Sequence, residues 1–237
     1  MTAHPRPWLV WASPPAFLCA LAAVGAAICG CGSAGSAGGG GGGKFGFIPV
    51  TTGQTFASTT VGATATPPAG AGWFVKHAPD GPTWSVMFMH PADRSDGRKI
   101  GETAHVYLTF TRPDFARLRR EDPSERAMLE RVIDESPLLV LRGENFRKIG
   151  GTTRFRPLVG TEVAWFDQTW EERNNPAGPA AVLVMRNVGF VCVHPFDKNC
   201  GIFMYASHRI ERGATPALDA SILDEDFARQ LTISPPK

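Results

Sequence analysis

Hydrophobic periodicities along the chain run strand, helix, strand, helix, the order of an α+β fold: a mainly antiparallel sheet packed with a middle helix and a C-terminal helix. Residues 105–111 alternate, with Val106, Leu108 and Phe110 on one face and His105, Tyr107, Thr109 and Thr111 on the other. Met128, Leu129, Val132 and Ile133 recur at helical spacing, and Leu223, Phe227 and Leu231 lie four apart in an amphipathic stretch over 219–231.

The other elements fall around these anchors. Residues 45–68 are Thr/Gly/Ala-rich with scattered apolar positions and read as an irregular arm or a weak hairpin, closed by Pro67-Pro68 and the small residues 69–72. Residues 73–77 and 84–89 are apolar enough for strands. Asp96-Gly97 signals a turn in the loop that follows. Pro113 suits a first helical position, with Phe115 and Leu118 on a shared face. Asp122-Pro123-Ser124-Glu125 reads as a helix start with Asp122 as the cap, and Pro137 closes that helix before the short apolar run 138–141. Strands are expected again after Gly150-Gly151. Residues 161–170 alternate in part, a loop covers 174–178, and 180–185 with 189–193 form one long bulged strand or two strands. Residues 202–206 are the last strong strand, and Asp224, Glu225, Asp226, Arg229 and Gln230 are expected on the solvent face of the final helix.

Charge divides the chain. The first 43 residues hold Arg6 and no other charged side chain; the remaining 194 hold 23 basic and 22 acidic residues, a net +1 within the whole-chain +2. So small a net charge excludes a nucleic-acid binder driven by a basic field. After the leader no stretch reaches the 18 apolar residues of a spanning helix.

A positive start, an apolar run over 16–29 and small residues after it describe a secretory signal. The alternative is an uncleaved anchor, since the apolar stretch counted from Trp8 is long enough to span. Ile28-Cys29-Gly30-Cys31 resembles the lipobox of bacterial lipoproteins: aliphatic, variable, Gly or Ala, then Cys. The resemblance implies that Cys31 is diacylated on sulfur, becomes the mature N-terminus and gains a third acyl chain. Cys29 follows Ile28 and Cys19 follows Leu18, so neither has the small residue before it. The alternative here is cleavage after Ala34 or Ala37 and release of a soluble protein. By analogy with the sorting rule of enteric bacteria, Gly32 in place of Asp implies the periplasmic face of the outer membrane rather than the inner. Residues 32–43 are Gly, Ser and Ala only, a coil with an r.m.s. reach of roughly 20 Å. The expected organisation is therefore 1–31 signal and lipidated Cys, 32–44 tether, 45–72 lead-in arm and 73–237 one α+β domain. Over about residues 70–233 the segment pattern resembles that of PsbP-like and DcrB-like extracytoplasmic domains.

Chemistry-bearing residues are sparse. Cys192 and Cys200 flank a seven-residue connection. If the flanking strands pair, the two face each other across a hairpin, and in an oxidising envelope they read as a disulfide worth about 2–3 kcal/mol. The alternatives are two buried thiols, or a metal site from Cys192, His194, Cys200 and His208, whose spacings are unlike those of zinc fingers. His77, His90 and His105 are expected as half-exposed strand residues. There is no G-x-S-x-G elbow, no H-E-x-x-H helix, no phosphate loop and no calcium loop, so no cofactor is implied. Arginines and acids interleave around the middle helix as a solvated face. Trp165 and Trp170 have opposite parity on one strand, so both belong to core layers on the two faces of a covered sheet or, as the alternative, one of them marks a ligand or partner surface. The function expected is a lipid-anchored, non-enzymatic binding or accessory module for an envelope protein or complex. The alternative is a binder of a small apolar ligand between sheet and helix, and a hydrolase ranks third.

Overall fold

The computed structural model describes residues 46–51, 53–93, 102–122, 124–136, 145–158, 161–173 and 182–237. The chain divides into two compact units, 1–35 and 36–237. The expected signal with Cys31, the whole of the expected tether, the Asp96-Gly97 turn, the 138–141 run and the 174–178 loop lie outside the described residues.

An α+β architecture is observed. The main sheet has eight strands, all antiparallel, in the order β1-β4-β5-β6-β10-β9-β8-β7. They are β1 (Ile48–Pro49), β4 (Phe74–His77), β5 (Thr83–Asp93), β6 (Glu102–Thr111), β7 (Phe146–Leu158), β8 (Thr161–Glu172), β9 (Leu183–His194) and β10 (Asp197–Glu211). A second sheet joins β2 (Phe56–Ser58), β3 (Ala63–Ala65) and β11 (Thr232–Ile233). The lead-in arm is thus a true hairpin, completed by the C-terminal tail. Asp80 staples its turn, accepting from the hydroxyls of Ser58 and Thr59 and from the Thr59 amide at 3.1 Å.

Each face of the main sheet is covered differently. Val86 and Phe88 of β5, Val106 and Leu108 of β6, Met204 of β10 and Phe190 of β9 share one face. Helix α3 (Ala220–Gln230) packs there through Leu223 and Phe227, the latter ring 5.8 Å from Phe88. The small sheet lies on the same face, with Phe56 5.5 Å from Phe88. Helices α1 (Pro113–Glu121) and α2 (Glu125–Glu135) lie on the opposite face. A Cβ on Gly201, which has the parity of Phe203 and Tyr205, would run into the Phe115 ring of α1. Arg126 of α2 stands 4.1 Å above the Phe155 ring on that same face.

Three local expectations are corrected. Asp122 closes α1 instead of opening α2: its N–H still donates to the Leu118 carbonyl at 2.8 Å, and Ser124 is the cap that accepts from Ala127. Strand β7 begins at Phe146 and runs through Gly150-Gly151, with a register shift between Lys148 and Gly150. Asp224 faces inward on α3 and is buried. Residues 183–194 form one continuous strand, as in the first of the two alternatives, but with no bulge at 186–187.

Candidate functional site

Four polar side chains form one row across the α1–α2 face of the sheet. Ser207 of β10 is the Cα partner of His105 on β6 and of Asn187 on β9; Asn187 in turn is the partner of Gln168 on β8. At the usual strand spacing the row spans roughly 14 Å. Ser207 and Asn187 are each 1% exposed and His105 is 8% exposed. Four atoms of the row lack any hydrogen-bond partner: His105 Nε2, Ser207 Oγ, and both Nδ2 and Oδ1 of Asn187. Gln168 is engaged through Oε1, which accepts the Trp170 indole N–H at 3.4 Å.

Aromatic rings wall one side of the row. Tyr205 meets the His105 ring edge-on at 5.2 Å and the Tyr107 ring at 5.8 Å, and Phe166 stacks on Phe203. On the other side Arg209 donates Nε to Glu172 at 2.8 Å, a self-neutralised pair. Burial holds the His105 imidazole down to about 4, so it is neutral near pH 7. The row therefore offers neutral donors and acceptors and no fixed charge. No base is hydrogen-bonded to the Ser207 hydroxyl in this arrangement.

The other residues singled out in the sequence lie elsewhere. Cys192 and Cys200 are both free thiols in the core. Their strands pair as expected, but a register shift between Asp197 and Gly201 sets Ile202, not Cys200, opposite Cys192. Burial pushes both thiols up to about 12. His194 is buried near this turn, its Nδ1 accepting the Phe196 N–H at 3.1 Å. His208 lies six positions along β10 from Ile202, roughly 20 Å away. There its Nδ1 accepts the Ala220 N–H at 3.0 Å and ties down the first turn of α3. The four residues of the metal alternative are thus not brought together, and no group of three or more His, Cys, Asp or Glu suited to a metal ion occurs among the described residues.

Trp165 and Trp170 do project from opposite faces of β8. Trp170 is buried beside the polar row, whereas Trp165 is half-buried with its ring 5.0 Å from Phe190. His77 is exposed and His90 half-buried, close to expectation, but His105 is inside. A hollow of about 300 Å³ lies between residues 50–53 and 66–73; its lining has no titratable side chain, and the Trp73 indole N–H is already given to the Ala69 carbonyl.

Sequence reasoning missed the row because no motif carries it. Its members come from four strands, and only the cross-strand register brings them together. Fold and site together define an antiparallel α+β domain with a buried neutral polar row. The chain matches no known family model, no curated protein and no solved structure. No helix among the described residues is long and apolar enough to cross a membrane.

Proposed function

We propose that the chain is a lipid-anchored protein of a bacterial envelope whose folded domain is a non-enzymatic binding module. Ile28-Cys29-Gly30-Cys31 and the Gly-rich segment after it support the anchor and tether, with acyl chains on Cys31 and the domain on the periplasmic face. The observation that carries the binding role is the set of four unpartnered polar atoms on His105, Ser207 and Asn187. A buried polar atom left unpaired costs about 1–3 kcal/mol, so four in one row support a bound molecule, ordered water or a solute, that pairs them. The class that fits is small and uncharged, with donors and acceptors both. Such a ligand suits an accessory protein that senses or carries a solute for an envelope complex.

The reading as a binder of an apolar ligand between sheet and helix has less support. Phe227 stands on Phe88 there, and Leu223 adds to the same packing. Native and denaturing mass spectrometry of protein extracted from its membrane in mild detergent tests the proposal. The folded wild type is expected to carry a small non-covalent molecule that is lost on denaturation and missing from Asn187→Leu. Native masses equal to the denatured masses in both proteins, with nothing bound, would overturn it.

A further inference from the structure

Strand β7 is the outer strand of the main sheet and pairs only with β8. It carries Arg147, Lys148, Arg154 and Arg156 and no acidic residue, in a body whose net charge is +1. All four are exposed. Arg154 and Arg156 make no ion pair among the described residues. Arg147 shares a single buried carboxylate, that of Glu171, with Arg173 and Arg212, which leaves two positive charges in excess at that end. Arg147, Arg154 and Arg156 have the parity of the α3 face, where Arg154 is the Cα partner of the half-buried Trp165. At the bulge in β7 stands Ile149, 46% exposed and one of four large apolar side chains so exposed among the described residues.

A charged edge strand also discourages edge-to-edge pairing. That purpose does not account for an exposed Ile149 amid the cations, nor for Trp165 beside Arg154. Cations flanking an apolar residue and a half-buried indole are the combination that a lipid headgroup layer accepts. We propose that this cationic β7 edge, with Trp165 beside it, docks on the anionic phospholipid headgroups of the membrane to which the chain is anchored. The inference rests on the lipoprotein reading for its geometry: a tether with a reach of roughly 20 Å confines the domain to the headgroup layer and makes a weak contact effectively intramolecular. Charge complementarity then selects the occupant. Each engaged Lys or Arg contributes about fivefold to the docked population near an anionic surface, and screening by salt removes it.

The test uses the full chain, purified from its membrane and reconstituted with vesicles of phosphatidylcholine alone or with phosphatidylglycerol added. Flotation with phosphatidylcholine reports the anchor. Hydrogen exchange of β7 amides, compared between the two vesicles, reports docking. Exchange is expected to slow by at least about fivefold on phosphatidylglycerol vesicles, to recover at high salt, and to be fast on both vesicles in Arg154→Glu/Arg156→Glu, with Arg154→Gln/Arg156→Gln between. Equal β7 exchange on the two vesicles overturns the docking surface even where the chain floats. Slowing on native envelope membranes without slowing on phosphatidylglycerol vesicles also overturns it, in favour of an acidic protein partner. A chain that floats only with phosphatidylglycerol keeps the surface and sinks the anchor.

Discussion

Ser207 and His105 stand opposite each other across β10 and β6, and neither Ser207 Oγ nor His105 Nε2 has a hydrogen-bond partner. An unpaired buried hydroxyl destabilises the fold, whereas one paired by a ligand stabilises the complex. Ser207→Ala is therefore expected to act in opposite directions in two preparations. In protein purified gently it should lower the thermal midpoint by about 2–4 °C, as follows from about 1 kcal/mol in a domain of this size. In protein stripped by unfolding and refolding it should raise the midpoint. Scanning calorimetry of both preparations reads the sign.

Two buried groups give the domain opposing pH dependences. His105 is held down to about 4 by burial, against an unfolded value near 6.5. Its neutral form belongs to the fold, so its stabilising effect is complete above pH 6.5 and is lost as pH falls toward 4, a change of about 3 kcal/mol. Asp224 is 3% exposed, and burial, reinforced by the neighbouring Glu225, lifts its carboxyl to about 7. Its contribution is complete below the unfolded value near 3.9 and is lost as pH rises through 7, about 4 kcal/mol in all. Asp224→Asn is expected to gain stability over wild type at pH 8 and to match it at pH 4. Urea unfolding across that range measures both limbs.

The thiols of Cys192 and Cys200 are buried and pushed up to about 12, so thiolate is scarce at neutral pH. Folded protein is expected to resist iodoacetamide for hours. In denaturant without reductant both should alkylate, as free thiols. Alkylation only after reduction would establish the disulfide that the spacing suggested and would require the β9–β10 turn to rearrange.

Gly201 is where α1 meets the sheet. A Cβ there would run into the buried Phe115 ring, so Gly201→Ala must displace the helix. Over-packing of this kind costs about 1–3 kcal/mol. The expected signature is faster amide exchange across α1 with α3 unchanged, since α3 lies on the other face.

Some elements were legible because one face of each repeats as apolar, even where, as in β6, the other face is buried too. Strand β6 and helix α2 emerged from residues such as Val106, Leu108, Met128 and Ile133. Strand β7 was illegible because most of its side chains are exposed on both faces, so Phe146–Leu158 has no period-two pattern and Gly150-Gly151 reads as a break. Asp224 was misplaced because it directly follows Leu223: the buried arc of α3 is wide enough to include both. Trp165 and Trp170 were separated correctly, since parity along one strand is local. The polar row was not legible at all, since pairing Ser207 with both His105 and Asn187 needs two registers that no single strand encodes.

The anchor on Cys31 is tested most directly by the intact denatured mass of protein extracted from its membrane. The account predicts a chain beginning at Cys31, heavier than the bare polypeptide by a thioether-linked glycerol and three acyl chains, and lighter by the two ester-linked chains after mild base hydrolysis, which leaves the amide-linked chain in place. A chain that retains Met1, or one that begins at a later residue with no added mass, would contradict it.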